Sequence, residues 1–112
     1  MESKIIYISN ETYLPKVNWK RLDNAESEWK YLDINKNSLS EIQSLINAYF
    51  DDAELLIVTT RNDSRREKRN DIGPLLLDIL DKFNFTIWNV HFKKVIEFNN
   101  VGVYRYGERA CQ

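Results

Sequence analysis

The sequence feature that most constrains the fold is a capped amphipathic stretch followed closely by an apolar run. Ser38 and Glu41 have the spacing of a capping box, in which the serine bonds the amide three residues on and the glutamate reaches back. The apolar residues that follow lie on one helical face: Leu39, Ile42, Leu45, Ile46, Tyr49 and Phe50. The spacing predicts a helix over about 39–50. Residues 55–58 are all apolar, which predicts a strand covered on both faces, as in a central parallel position.

Strand-like composition recurs along the rest of the chain. β-branched and aromatic residues dominate residues 4–8, 29–34, 85–90, 94–98 and 101–106, which are therefore predicted as strands. Asn99 and Asn100 separate the last two, and because asparagine tolerates positive φ they predict a hairpin turn. A second helix is predicted over about 73–83, with Pro74 in its first turn, where proline is tolerated. Residues 9–28 have no clear period and are predicted to be irregular.

This order of elements predicts the fold class. We expect one domain over residues 1–112, of the α/β class with α+β as the alternative. The two helices are expected to act as right-handed crossovers between parallel strands, and the C-terminal hairpin to add antiparallel edge strands. The expected architecture is therefore a mixed sheet with at least one face covered by helices.

Length and composition exclude several classes of protein. The 112 residues suit one hydrophobic core, and no apolar run approaches the ~20 residues of a membrane span. The N-terminal residues lack the pattern of a signal peptide, so a cytoplasmic location is expected. The single cysteine, Cys111, has no partner for a disulfide or for a structural zinc site. The formal net charge of −1 is unlike that of a dedicated nucleic-acid binder.

The basic segment, residues 61–69, is the first candidate site. It directly follows the predicted central strand, and ligands of open α/β sheets bind beyond the carboxyl ends of strands. Arginine suits phosphate or carboxylate recognition, because its guanidinium donates two parallel bonds. Three interpretations stay open: a solvated loop, a contact with a protein partner, or binding of a nucleic acid or phosphate ligand. The candidate residues are Arg61, Arg65, Arg66 and Arg69.

The acidic segment, residues 23–33, is the second candidate. It interleaves carboxylates with two aromatic side chains, and interface hot spots favour tryptophan, tyrosine and arginine. An acidic surface also steers basic partners toward it. The alternative is that the aromatic side chains fill the core. The candidate partner-binding residues are Asp23, Glu26, Glu28, Trp29, Tyr31 and Asp33.

Catalytic and metal motifs are not recognisable in this sequence. His91 is the only histidine, and the sequence has no Gly-x-Ser-x-Gly nucleophile elbow. No Gly-rich phosphate cradle is present either, since Gly73 is the only glycine near the basic segment. We therefore expect a protein that is not an enzyme and that uses no metal or cofactor.

The whole chain resembles the small single-domain α/β immunity proteins of bacterial toxin systems, including contact-dependent growth inhibition. The resemblance lies in the length, the absence of a catalytic motif, the abundance of Asn and Lys, and charged segments with embedded aromatics such as residues 26–33. It implies a non-enzymatic inhibitor that covers the active site of a toxin domain, a nuclease being one candidate activity. The alternative function is a nucleic-acid or phosphate-ligand binding module that uses residues 61–69. No membrane partner is expected.

Overall fold

The computed structural model describes residues 2–20, 28–32, 38–80 and 82–109, and within them three α-helices pack on a seven-stranded sheet. The helices are α1 (Ser3–Tyr13), α2 (Ser38–Tyr49) and α3 (Ile72–Ile79). The strands are β1 (Val17–Trp19), β2 (Lys30–Tyr31), β3 (Glu54–Val58), β4 (Arg65–Lys68), β5 (Phe85–Asn89), β6 (Lys94–Asn99) and β7 (Val103–Arg109). Short 3₁₀ turns at Leu14–Lys16 and Arg69–Asp71 lead into β1 and α3.

The strands follow the order β1-β7-β6-β5-β3-β4, and β2 pairs with the first part of β7. Each pairing between described strands is antiparallel. β3 lies inside the sheet, where Leu56 is opposite Arg66 of β4 on one side and Trp88 of β5 on the other. β4 forms one edge of the sheet, and β1 and β2, which pair with different parts of β7, form the other.

The predicted fold class is confirmed: one α/β fold contains both predicted helices and the C-terminal antiparallel hairpin. The prediction that the helices are crossovers between parallel strands is wrong. The basic segment, residues 61–69, is not a solvated loop throughout, because the chain turns back there and pairs β4 against β3. α3 then returns the chain to β5, which runs antiparallel to β3. The continuous apolar run of β3 reflects helices on both faces of the sheet and not parallel neighbours.

The N-terminal prediction is also wrong, because residues 4–8 belong to α1. Ile6 and Asn10 are four residues apart and point into the protein, whereas Ile5 and Ile8 are about half exposed. Packing of one helical face has therefore overridden β-branched composition. Residues 9–28, expected to be irregular, include the end of α1 and the whole of β1. Of the strand predicted over 29–34, β2 forms only Lys30–Tyr31, and residues 33 and 34 lie outside the described residues.

Two hydrophobic cores lie on opposite faces of the sheet. On one face, Leu55 and Ile57 of β3 belong to the cluster that includes Ile42 and Ile46 of α2 and Leu76 of α3. On the other face, side chains of β3, β5 and β6 pack with Ile6 of α1: Leu56, Val58, Trp88 and Val95. Alternate residues of the same strands therefore supply both cores, as expected for a strand with helices above and below.

The predicted C-terminal hairpin forms with its turn displaced toward the C-terminus. Gly102 takes a φ of +97°, the left-handed conformation that glycine adopts without strain, and its amide bonds the Asn99 carbonyl at 3.0 Å. β6 therefore continues through Asn99 and β7 begins at Val103. None of the three described helices has the length and apolar character of a membrane span.

Candidate functional site

β2 connects two different surfaces of the protein because its side chains alternate across the sheet. Lys30 points to the α2 face, where its Nζ lies 4.6 Å from the centroid of the Tyr106 ring. The preceding residue, Trp29, points to the α1 face, where its ring lies 4.5 Å from the Arg105 guanidinium carbon. The acidic segment therefore contributes the side chain of Trp29 to the α1 face.

A cluster of two tryptophans, one arginine and two glutamates lies on the α1 face beside the helix. We name it the tryptophan–arginine cluster: Trp19, Glu28, Trp29, Glu97 and Arg105. The Arg105 guanidinium carbon is 3.9 Å from the centroid of the Trp19 ring, so the two indoles flank it. Its Nε donates to Glu97 at 2.6 Å and its Nη1 to Glu28 at 3.1 Å. These three charged side chains are each just over one-fifth exposed.

Strand register places the members of this cluster side by side. Arg105 of β7 is directly opposite Glu97 of β6, so their side chains share a face. Trp19 of β1 is opposite Gly107, two residues further along β7 and on the same face. Glycine is required there, because a Cβ at Gly107 would collide with the Asn18 carbonyl oxygen. The close approach of β1 to β7 brings the indole of Trp19 over Arg105.

A groove of about 220 Å³ lies between α1 and the sheet and extends to this cluster. Glu11 of α1 and Glu97 line it, together with the buried side chains of Asn10 and Thr86. A second guanidinium of the α1 face, that of Arg109, lies over the Tyr13 ring. Around the groove and the cluster themselves lie the carboxylates of Glu11, Glu28 and Glu97 and the guanidinium of Arg105. The balance of these four groups is acidic, and a cationic partner would be attracted to it.

The acidic segment falls only partly within the described residues. Glu28 and Trp29 belong to the tryptophan–arginine cluster, whereas Asp23, Glu26 and Asp33 lie outside the described residues. Tyr31 is 74% exposed and is paired with Val103, next to the β6–β7 turn, where Val101 is 75% exposed. Tyr31 and Val101 thus present apolar surface at one end of the sheet. Tyr31 is therefore not part of the core, so the alternative interpretation of the acidic segment, that its aromatic side chains fill the core, is wrong for this residue.

The four arginines of the basic segment do not converge on one site. Arg65 and Arg66 are adjacent in β4, so their side chains point to opposite faces. Arg65 lies 3.3 Å from Glu67, and Arg66 bonds Glu54 at 2.7 Å. Arg61 is exposed in the β3–β4 turn.

Arg69 bonds the backbone at the C-terminal end of α2. Its Nη1 donates to the carbonyl of Phe50 at 2.7 Å, just beyond the C-terminus of α2. A positive charge there complements the helix dipole and bonds a carbonyl that the helix leaves unpaired. The amide of Gln43 in α2 bonds the Arg69 carbonyl at 2.9 Å and thereby ties the same turn to the helix.

The described residues form no recognisable catalytic or metal arrangement. His91 is exposed in the β5–β6 turn, and its backbone carbonyl accepts a hydrogen bond from Arg109. Among the described residues, no group of three or more His, Cys, Asp or Glu side chains could hold a metal ion. Of the aromatic side chains in β5 and β7, Trp88 is fully buried, and Tyr104 and Tyr106 are half-buried beneath α2.

Sequence reasoning did not identify Trp19, Glu97, Arg105 or Glu11 as site residues. Arg105 is a charged residue between two tyrosines in a strand predicted from the sequence, and that pattern could have identified it as a candidate site residue. Comparisons of this chain with protein-family models, curated proteins and solved structures found no match. The functional interpretation therefore depends on the surfaces described above.

Proposed function

We propose that this protein is a non-enzymatic, stoichiometric inhibitor: an immunity protein that binds a bacterial toxin domain and covers its active site. The observation that carries the proposal is the tryptophan–arginine cluster, defined above, with the exposed Tyr31 nearby. Tryptophan, tyrosine and arginine are the residues most enriched at protein interface hot spots. The resemblance of the chain to small immunity proteins supplies the class of partner.

The rigidity of the cluster suits it to binding. Arg105 is held by two carboxylates and flanked by two indoles, so its conformation is set before a partner arrives. A preordered side chain loses little conformational entropy on association, which favours affinity. The half-buried aromatic surface around it also offers apolar area to a partner.

The charge around the groove and the tryptophan–arginine cluster indicates a basic partner. Glu11, Glu28 and Glu97 outnumber Arg105, and complementary charge speeds encounter and rejects wrong partners. A toxin that grips nucleic acid needs a positive surface for it. A nuclease toxin is therefore the partner that fits this face best.

The basic segment supports the alternative function less well. Arg65 and Arg66 are each paired with a carboxylate, and Arg69 bonds the end of α2. A phosphate ligand would need these guanidinium groups to converge, and the strand alternation of β4 directs two of them apart.

The primary test uses the product of the neighbouring gene as the candidate toxin. Cells that express that gene product are expected to stop growing, and co-expression of this protein should restore growth. The purified pair should form a one-to-one complex. Growth arrest that co-expression does not relieve would contradict the immunity function, as would a neighbouring product without toxicity.

Two substitutions test the surface. Tyr31→Ala should weaken binding at least about tenfold, because the exposed ring contributes to the interface and little to folding. Leu39→Ala is the matched control, since Leu39 is a large exposed apolar residue on α2. Equal binding by both variants and the unmodified protein would place the interface elsewhere.

A charge reversal tests electrostatic steering. Glu11→Lys should slow association, most strongly at low salt, whereas Glu41→Lys on α2 should not. Stopped-flow association rates at several salt concentrations measure the effect. If Arg65→Glu with Arg66→Glu slows association and Glu11→Lys does not, the partner is acidic and binds the β4 edge instead.

A further inference from the structure

A second pocket lies on the opposite face of the sheet, between α2 and β7. Its volume is about 230 Å³, which is enough for a small organic molecule. Apolar and aromatic surface forms most of the lining, with one cationic side chain. The lining residues are Lys30, Leu45, Ala48, Tyr49, Tyr104 and Tyr106.

The ammonium of Lys30 is the unusual group in this pocket. Its Nζ is shielded from solvent and has no hydrogen-bond partner within the part of the chain that the structure describes. Its favourable contact is with the ring of Tyr106, 4.6 Å from the centroid. Removing an ammonium from water costs more than one cation–π contact returns, so an anion near Lys30 would be strongly favoured.

The tyrosines add hydrogen-bond donors at the same place. Within the described residues, the hydroxyls of Tyr104 and Tyr106 form no hydrogen bond, whereas that of Tyr49 donates to the Gly107 carbonyl. Burial, and then the neighbouring Tyr106, raises the pKa of the Tyr104 hydroxyl above its usual value. That phenol stays protonated at neutral pH, as an ordinary tyrosine does, and can donate to an acceptor.

We infer that this pocket binds a small organic acid that has an apolar, preferably aromatic, body and one carboxylate. The body packs against Leu45, Ala48 and the tyrosine rings, as apolar ligands do in mostly apolar pockets with a few polar groups. The carboxylate pairs with Lys30, whose flexible four-carbon stem lets the ammonium turn from the Tyr106 ring into the cavity. The Lys30 ammonium and the O–H groups of Tyr104 and Tyr106 can all donate to an anionic acceptor, whereas the ammonium would repel a cationic ligand.

This inference is independent of the proposed function, because the pocket and the tryptophan–arginine cluster lie on opposite faces of the sheet. The two ideas can therefore fail separately. A finding that the pocket binds no organic acid would leave the inhibitor proposal standing. A finding that the toxin binds another surface would leave the proposed ligand of the pocket standing.

The test is an NMR titration of the intact protein with benzoate, followed through backbone amide and tyrosine ring resonances. Benzamide, which has nearly the same shape without the charge, is the matched ligand. Benzoate should give saturable shifts at Leu45, Ala48 and Tyr106 below about 10 mM, and benzamide should bind at least about tenfold more weakly.

Two variants assign the site. Lys30→Met keeps the length of the stem and removes the charge, so benzoate affinity should fall to that of benzamide. Lys68→Met, at an exposed position of β4, is the matched control and should bind benzoate as the unmodified protein does. Ala48→Trp fills the pocket from an exposed helical position and should abolish binding of both ligands even if Lys30→Met does not fold.

Three results would overturn the inference. The first is the absence of saturable benzoate shifts in the folded protein. The second is equal affinity for benzoate and benzamide, which would remove the role of the charge. The third is undiminished benzoate binding by Ala48→Trp, which would place the anion at another surface.

Discussion

At the scale of single residues, a buried asparagine is the clearest link between a helix and the sheet. Asn10 of α1 is 6% exposed, and its Oδ1 accepts hydrogen bonds from Thr86 Oγ1 at 2.7 Å and Trp88 Nε1 at 2.8 Å. The indole N–H can only donate, so the amide oxygen must face it. One side chain thus pairs two buried donors of β5 and fixes the position of α1 over the sheet.

We predict that Asn10→Ala destabilises the protein by about 1–3 kcal/mol, because both donors are left unpaired. The free energy of unfolding from urea denaturation measures the effect. Asn47→Ala is the control, since Asn47 is exposed on α2 and its loss should change stability by less than about 0.5 kcal/mol. Equal effects of the two substitutions would mean that the two buried hydrogen bonds make no net contribution to the free energy of unfolding.

Phe92 combines buried packing with an unfavourable backbone. Its φ is 54°, in the left-handed region, although the residue is bulky and only 5% exposed. Its ring packs 5.3 Å from that of Trp88 and 5.5 Å from that of Tyr13. The packing of the ring therefore offsets the strain of the turn between β5 and β6.

We predict that Phe92→Gly is more stable than Phe92→Ala by about 1 kcal/mol, although both lose the ring. Glycine relieves the left-handed strain and alanine retains it. Phe98, which is buried in the regular strand β6, supplies the contrast: there, alanine should be at least as stable as glycine. Thermal denaturation of the four variants gives their relative stabilities. If Phe92→Ala is more stable than Phe92→Gly, the claim of backbone strain at position 92 is refuted.

At the scale of elements, β3 has a core on each face. Leu56 packs on the side of α1 and Ile57 on the side of α2 and α3, and both are almost fully buried. The neighbouring β4 is a short edge strand with charged side chains at all four positions. Charges on an edge discourage pairing with other chains, which is a simpler account of the basic segment than a phosphate site.

We predict that Leu56→Ala and Ile57→Ala each cost about 2–5 kcal/mol of unfolding free energy, because each leaves a cavity in a separate core. Lys68→Ala on the exposed edge should change stability by less than about 0.5 kcal/mol. Chemical denaturation compares the three variants. A cost below about 0.5 kcal/mol for both core variants would contradict the interior placement of β3.

At the scale of the whole molecule, charge is distributed in paired groups. The net charge is −1, and several of the cations are bonded to carboxylates or to backbone carbonyls. The α1 face is acidic around the groove, and the β4 edge carries balanced pairs apart from Lys68. The acidic groove is one basis of the proposal that the partner is a basic protein, and the paired arginines of β4 are the reason a phosphate ligand is not proposed.

We predict no sub-micromolar binding of single- or double-stranded nucleic acid at physiological salt, because phosphate contacts weaken steeply with salt and need unpaired cations. Fluorescence anisotropy titrations test this at two salt concentrations. Changing Arg65 and Arg66 to alanine should make no difference. Tight binding that this double change abolishes would restore the alternative function.

The sequence by itself determined the elements with strong local signals. α2 and β3 appear almost where the capping spacing, the helical period and the apolar run placed them. The bounds of the last three strands lie within three residues of the predicted ones, whereas α3 ends at Ile79, four residues before its predicted end. Only the tertiary structure decided α1, the antiparallel pairing and the surroundings of Arg105. Residues 4–8 satisfy strand composition, yet burial of Ile6 and Asn10 makes them helical. Trp19 and Arg105 meet because β1 pairs with β7, and such long-range register has no local signal in the chain.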